Sequence, residues 1–506
     1  MKSICFALIV LYALSASVTK GNESPKIKRT HLYVSQYENV LGTSMEIKVS
    51  ASSQQEASRA ETAALTEISR LSKILSAYDP DSEFSHWLKT SGQAIPVSKE
   101  LFEVLSLFDE WRKKTNGALD ASAEVITRLW KLAAVKQELP SQEELQHALR
   151  EVAQVHWKLD AATQTAIHLT NTPLMLNSFA KSYIIRHAAE VAKASGNIDA
   201  VIVNIGGDLV ALGQVKENVM ISDPKADAEN DLPLDQILIT NKAVATSGNY
   251  RRGEQIKGHW YSHIVDPRTG MPAENIISAT VVAENATDAG AMATTFSVLA
   301  PSESQRLASG MPGVEWLLIT RSGEQIKSPG WDKLEIPRQK KAEQPVIGKS
   351  SVSQDFELMI NLEINLQKEG FAKRPYVAVW VEDSTHSPLR TIAVWHGNER
   401  YLPELKSWYL KNRNQYNSDR NFNSSISSAT RSAGKYTLKW DGKDDKGNFV
   451  NPGKYTIKIE VSREHGTYQL MRQEINWDEN PKKFNLSGNI EIASASLDYK
   501  KKTSGN

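Results

Sequence analysis

Residues Ser262 to Pro272 read SHIVDPRTGMP, a stretch with the composition of a surface turn and side chains suited to chemistry. Pro267, Gly270 and Pro272 break regular structure. The same turn carries His263, Asp266 and Arg268. An imidazole, a carboxylate and a guanidinium held together suit an anionic ligand with an accompanying cation. A purely structural, hydrogen-bonded turn would use the same three side chains.

Three other clusters have comparable content. LSAYDPDSEFSHW places Tyr78 at the exit of a long helix, where its ring either stacks on a planar ligand or plugs the core. VNIGGDLVALG needs its two glycines for a tight turn and sets Asn204 and Asp208 beside it. A strand running into Gly-Gly can let backbone approach a phosphate. ATDAGAMATTF offers Asp288 and Thr294, oxygen donors of the kind a hard cation such as magnesium prefers. A spacing of six does not align them on one helical face, and Asp288 reads equally well as an N-cap beside Thr287.

The elements that must position these clusters alternate between strands and helices. THLYVSQYENVLGTSMEIKVS alternates polar and apolar residues on both sides of a Gly-Thr-Ser turn, predicting a hairpin. QQEASRAETAALTEISRLSKILS has apolar residues at helical spacing. KSYIIRHAAEVAKASGNID predicts a second helix ending at Gly196, and AVIVNIGGD a buried strand. GHWYSHIV and IISATVVAE flank the opening turn as strands. The fold class expected for this part is α+β.

A chain of 506 residues exceeds one hydrophobic core. Residues 337–355 are polar and Lys-rich, with Pro337 and Pro345, and read as a linker. Beyond them only short β-type runs follow, among them FELMINLEINL, YVAVWVED and RTIAVWHG, predicting an antiparallel β-sandwich over residues 356–495. The two GKYT runs at Gly434 and Gly453 read as the arms of one hairpin. A net charge of +1 with scattered basic residues gives no nucleic-acid footprint. Lys2, an apolar run from Ile4 to Leu14 and small residues after it have the layout of a signal peptide over residues 1–19; an uncleaved anchor is the alternative. Cys5, the only cysteine, lies within that segment, so an exported, periplasmic chain would have no thiol.

Taken in order, LGTSMEIKV, LSAYDPDSEFSHW, GALDASAEVITRLW, LNSFAKSYIIRHAAE, VNIGGDLVALG, VATSGNYRRG, YSHIVDPRTGMP and ATDAGAMATTFSVLAP resemble the FAD:protein FMN transferases, the ApbE-type family. The resemblance covers a domain over residues 28–336. The region after the linker resembles a β-rich domain of unknown function that sometimes follows this transferase. The resemblance implies magnesium-dependent transfer of FMN from FAD to a threonine or serine hydroxyl of an exported or membrane redox protein, with AMP leaving. Physically this is phosphoryl transfer, in which positioning and charge neutralisation do most of the work.

Carried over by position, the resemblance assigns His263 and Asp266 to catalysis, shaping the flavin site and orienting the hydroxyl, while Arg268 braces the turn. It assigns Leu41, Tyr78, Ala118, Leu119, Asp120, Lys181 and Ile264 to the cofactor, and Ser178 (through its carbonyl), Asp288 and Thr294 to the metal. Two departures stand out. Met175, Leu176, Asn177 and Ser178 replace the family's Asp-Leu-Gly-Gly, and Ser182 replaces the glycine of its AKG. The family's metal-binding aspartate aligns with Gly290, and Asp288, two positions earlier, would substitute for it if the helix begins later. The alternatives are a non-catalytic flavin-binding or scaffold protein and an FAD pyrophosphatase.

Overall fold

The protein is described by a computed structural model. It covers residues 30–249, 252–337, 355–365, 374–397, 399–419, 426–428, 430–463, 467–488 and 490–502. The signal-peptide reading, most of the linker, and Tyr250 and Arg251 of the VATSGNYRRG block lie outside these residues.

The first domain opens with β1 (His31–Val40) and β2 (Thr43–Ala51), followed by α1 (Gln54–Leu75), α2 (Glu83–Leu88), β3 (Ala94–Pro96) and α3 (Lys99–Lys114). Next come α4 (Glu124–Lys136), α5 (Gln142–Val152), β4 (Trp157–Asp160), β5 (Thr165–His168) and α6 (Ala180–Ala194). Strands β6 (Ile198–Ile205), β7 (Asp208–Gly213), β8 (Glu217–Ile221), β9 (Asp235–Ile239) and β10 (Ala243–Gly248) follow. The domain closes with β11 (Gly253–Ile256), β12 (His259–Ser262), β13 (Ile276–Ala283), α7 (Ala286–Val298), α8 (Pro301–Ser309), β14 (Glu315–Thr320) and β15 (Gln325–Lys327).

An eight-stranded sheet in the order β1-β2-β6-β7-β10-β13-β14-β15 is the frame, and α1, α6 and α7 cover one face. Helix α1 forms because Ser53 caps it, accepting from the Glu56 amide, and because Ala57, Ala60, Ala64, Ile68, Leu71 and Leu75 make one buried stripe. Helix α7 is buried almost all round, and Ala286, Ala289, Ala291 and Ala293 leave room for its neighbours to approach closely. The opposite face of the sheet is covered by the β8–β9 hairpin and Trp331. The α+β expectation holds for this domain.

The β1–β2 turn is Leu41-Gly42 rather than Gly-Thr-Ser, since Thr43 and Ser44 already belong to β2. Both turn residues have positive φ, 52° and 75°, as a two-residue hairpin of the primed type requires. For a leucine this left-handed conformation costs roughly 1–2 kcal/mol. The β6–β7 turn is built the same way from Gly206 and Gly207, at 59° and 92°. A Cβ on Gly206 would lie 2.7 Å from Thr43 Cγ2, so glycine is also what allows the two hairpin tips to touch.

The second domain packs two sheets around one core, which includes Trp395, Trp440 and Trp477. One sheet has the order β20 (Gly434–Trp440), β16 (Phe356–Ile364), β24 (Ile492–Lys501), β23 (Lys482–Leu486). The other has β19 (Ser427–Ser428), β18 (Pro388–Trp395), β17 (Tyr376–Glu382), β21 (Gly453–Ser462), β22 (Tyr468–Trp477). Two sequence expectations are corrected. The GKYT strands are not a hairpin: β20 pairs with β16, whereas β21 pairs with β17 and β22, so the loop between them crosses from sheet to sheet. The domain is also not strands alone, because Lys406–Ser418 is a helix whose buried Trp408, Asn412 and Tyr416 are spaced by four.

Side chains and backbone join the domains. Segment 227–231 lies along the free edge of β20: the Glu229 amide donates to the Thr437 carbonyl (2.7 Å), and Asn230 exchanges two 2.8 Å bonds with the Lys439 backbone. The Lys439 ammonium lies 2.9 Å from Asp227 and 2.6 Å from Asp231. Arg374 donates to the Tyr37 carbonyl on β1 (2.8 Å) and to the Thr430 carbonyl (3.0 Å).

Candidate active site

The Ser262–Pro272 turn is organised from within. Asp266 accepts the Arg268 amide (2.8 Å) and grips the Arg268 guanidinium through both carboxylate oxygens, Nε at 3.0 and 3.2 Å and Nη2 at 2.9 Å. Arg268 also reaches Glu303 on α8, 3.2 Å away. Trp130 of α4 donates to the Gly270 carbonyl (2.8 Å), and its ring lies 4.9 Å from that of Tyr261. Asp266 thereby holds the shape of the turn, and Arg268 braces it.

His263 is the member left available. Its Nδ1 lies 2.9 Å from the Arg252 carbonyl, which can only accept, so Nδ1 carries the proton and Nε2 a lone pair. Burial holds the imidazole below its ordinary value, and the positive charges of Arg252 and Lys131 act in the same direction. A neutral imidazole with one acceptor nitrogen not engaged in a hydrogen bond is the form a general base needs.

Around the turn the other segments meet in sequence. Gly117, at φ 81°, lies against the Arg268 stem, and Ala118, Leu119 and Asp120 follow it into the interior. Asp120 caps the short turn after it through Ser122, and its second oxygen lies 2.7 Å from Arg112 Nε, an ion-pair contact rather than an aligned hydrogen bond. The Met175 amide then donates to the Ala121 carbonyl, 2.9 Å, tying this loop to the segment that enters α6. Replacing Arg112 by alanine is expected to lower stability by about 2–3 kcal/mol in a urea melt. This is less than a fully buried pair loses, because the guanidinium is a third exposed.

Tyr78 stands on the surface, 74% exposed, so the core-plug reading does not hold. Its hydroxyl accepts from Asn177 Nδ2 at 2.7 Å, fixing the ring beside Ser178. Asn177 was visible in the sequence only as a departure from the family pattern, and its polar side chain was the available signal. Next to it the Thr294 hydroxyl donates to the Ser178 carbonyl at 3.1 Å, so two of the three expected metal donors meet.

The third does not join them. Gly290 faces Ser182 and Phe179, while Thr294 faces Ser178, so α6 and α7 run antiparallel. Asp288 lies a further half-turn from Thr294, about 9 Å along the axis at 1.5 Å per residue. Its charged neighbours are Lys114, Arg186 and Glu110, and burial pushes its carboxyl upward. The N-cap of α7 is Asn285, which accepts the Thr287 amide at 2.8 Å, so the capping alternative for Asp288 is corrected as well. Among the described residues no three His, Cys, Asp or Glu side chains come together to hold a metal ion.

Lys181 lies 2.9 Å from Asp208, which also accepts from the Ser182 hydroxyl at 3.3 Å. Asp208 follows the Gly206-Gly207 turn, which meets the hairpin carrying Leu41. Asn204 accepts the Gly207 amide at 3.1 Å and so holds that turn. Ile264, half-buried, follows His263 directly.

Against known families, residues 41–318 match the ApbE family model. The chain belongs to the ApbE family. Residues 357–494 match a second model, described as a predicted periplasmic protein, DUF2271. The FAD:protein FMN transferase of Escherichia coli K12 is 25% identical over 338 residues, 64% of this chain and 95% of that protein. That of Treponema pallidum is 28% identical over 306 residues, 56% of this chain and 84% of its own length. Among solved structures, the ApbE protein of Thermotoga maritima superposes with a TM-score of 0.54 at 26% identity, covering 61% of this chain and all of that one. The apo flavinyl transferase ApbE of Pseudomonas stutzeri, at 23% identity and a TM-score of 0.51, shares the fold, covering 60% of this chain and 97% of its own. The ApbE match ends before the second domain's strands begin, and the DUF2271 match falls within them.

Proposed function

We propose that this chain transfers the FMN moiety of FAD to a threonine or serine hydroxyl of an exported or membrane redox protein and releases AMP. The family and its curated relatives support flavin transfer. The observation that carries the reading is the His263 imidazole, proton fixed on Nδ1 and lone pair on Nε2, in one connected set of loops with the exposed Tyr78 ring. In this reaction the acceptor oxygen bonds to the FMN phosphorus, the bond to AMP breaks, and the hydroxyl proton passes to His263 Nε2. Tyr78, with Leu41, Ala118, Leu119, Asp120, Lys181 and Ile264, would border the flavin nucleotide. Asp266 would keep the turn in register.

The residues present do not fit a resident magnesium ion. The Ser178 carbonyl and Thr294 hydroxyl are neutral donors, and among the described residues no three His, Cys, Asp or Glu side chains come together to hold a metal ion. Magnesium prefers one or two carboxylates together with substrate phosphates. The missing carboxylate favours a second reading, a flavin-binding protein without transferase activity; water in place of the protein hydroxyl would give FAD hydrolysis.

We place the transferase domain at residues 28–336, the joining segment at 337–355 and the second domain at 356–495. An exported, periplasmic location is supported by the DUF2271 description and by the composition of residues 1–19.

The test is to incubate the protein with FAD, magnesium and a threonine-bearing acceptor, then resolve the products on a denaturing gel. Covalent flavin fluorescence on the acceptor with equimolar AMP is the expected result. Bound, intact FAD with an unlabelled acceptor would leave the non-catalytic reading standing, and free FMN with AMP would mean hydrolysis.

A further inference from the structure

The position on α7 that the family resemblance gives to a metal-binding aspartate is 290, one helical turn before Thr294, where side chains four apart lie side by side. Here residue 290 is glycine, and the space in front of it is occupied. A Cβ added at Gly290 would overlap Ser182 Oγ and lie 2.9 Å from Ser182 Cβ and 3.5 Å from Phe179 Cβ. Ser182 is held there, its hydroxyl donating to Asp208, which is in turn paired with Lys181. The glycine on one helix and the serine on the other fit each other: a side chain at 290 requires Ser182 to move or to be replaced by a smaller residue.

We infer that the Ser182–Gly290 contact has closed the family's resident cation site in this chain, so that a divalent ion reaches the Ser178 carbonyl and Thr294 hydroxyl only as part of a metal–FAD complex. This rests on the flavin reading above. Two neutral oxygens cannot offset the dehydration of magnesium by themselves, whereas a diphosphate brings the anionic oxygens the protein lacks. The positive charge that the protein itself retains beside Asp208 is the Lys181 ammonium. The substrate is then the metal–dinucleotide complex, bound as one unit, rather than FAD added to a metal-loaded protein.

Titration calorimetry on the full chain tests this without reference to turnover. Magnesium alone is expected to give no saturable heat up to millimolar concentration, and one site is expected to appear when FAD is present. The paired variant Ser182→Gly with Gly290→Asp is expected to bind magnesium without FAD, at least tenfold more tightly than the native chain. Gly290→Asp alone is expected to unfold at lower temperature and to gain no site. A stoichiometric magnesium site in the native chain without flavin, lost in Thr294→Ala, overturns the inference. So does a folded paired variant with no gain in metal affinity. Flavin fluorescence quenching in the same samples keeps the two readings separate: no quenching by the native chain rejects flavin binding itself, whatever the metal titrations give.

Discussion

Replacing His263 by alanine is expected to slow flavin transfer by about 10²–10⁴-fold, the usual contribution of a positioned general base. The reason is the single open nitrogen. The Arg252 carbonyl accepts the Nδ1–H bond and leaves Nε2 open, while Asp266 is engaged with Arg268. FAD affinity should change little, since the loss falls on the transition state, so kcat should fall with KM nearly constant.

The pH profile adds a signature. Because burial lowers the imidazole from its ordinary value of about 6.5, Nε2 stays deprotonated to lower pH than a solvated histidine would. The acid limb of kcat/KM is therefore expected below pH 6.5 and should disappear in His263→Ala. The same shift bears on stability: the folded state resists a proton that the unfolded chain accepts, so this histidine's contribution is present above about pH 6.5 and is lost as pH falls towards the depressed value. An acid limb that survives in His263→Ala would assign the base elsewhere.

Tyr78→Ala is expected to weaken FAD binding about ten- to a hundredfold, the range that one aromatic stacking contact supplies. A ring 74% exposed before ligand arrives supports almost nothing in the free protein, so thermal stability should not change. The effect should appear in the dissociation constant measured by flavin fluorescence. Tyr78→Phe keeps the ring but frees Asn177 and should show a smaller loss. A fall in melting temperature for Tyr78→Ala would mean that the ring packs internally in solution.

Much of this architecture can be read from the chain because local signals agree with tertiary demands. The α1 stripe, the buried β6 strand and the glycine pair at residues 206–207 each had a physical reason visible in a short window. The opening turn stood out because proline and glycine left its polar residues no regular structure to serve. What stayed hidden depends on partners far apart in sequence. The GKYT runs are alike locally, yet one pairs with β16 and the other with β17, a choice made by the fold of both sheets. The helix Lys406–Ser418 buries only Trp408, Asn412 and Tyr416, too sparse a stripe to stand out among polar residues. Asp288 and Gly290 differ by two positions, but only the antiparallel course of α6 and α7 shows that one faces Arg186 and the other Ser182. The Arg112–Asp120 pair had no sequence signal, since an arginine in a helix's last turn is ordinary.

The contact of residues 227–231 with β20 has a bearing on the evolution of the two modules. An unpaired strand margin is sticky and is usually blunted by charge, a bulge or a cover. Here one module supplies the cover, with Asn230 imitating a neighbouring strand's amide. The second module thus has part of its protection against self-association supplied by the first. Parted from the first module, the second would present the bare edge of β20, a physical reason for the two to remain one polypeptide.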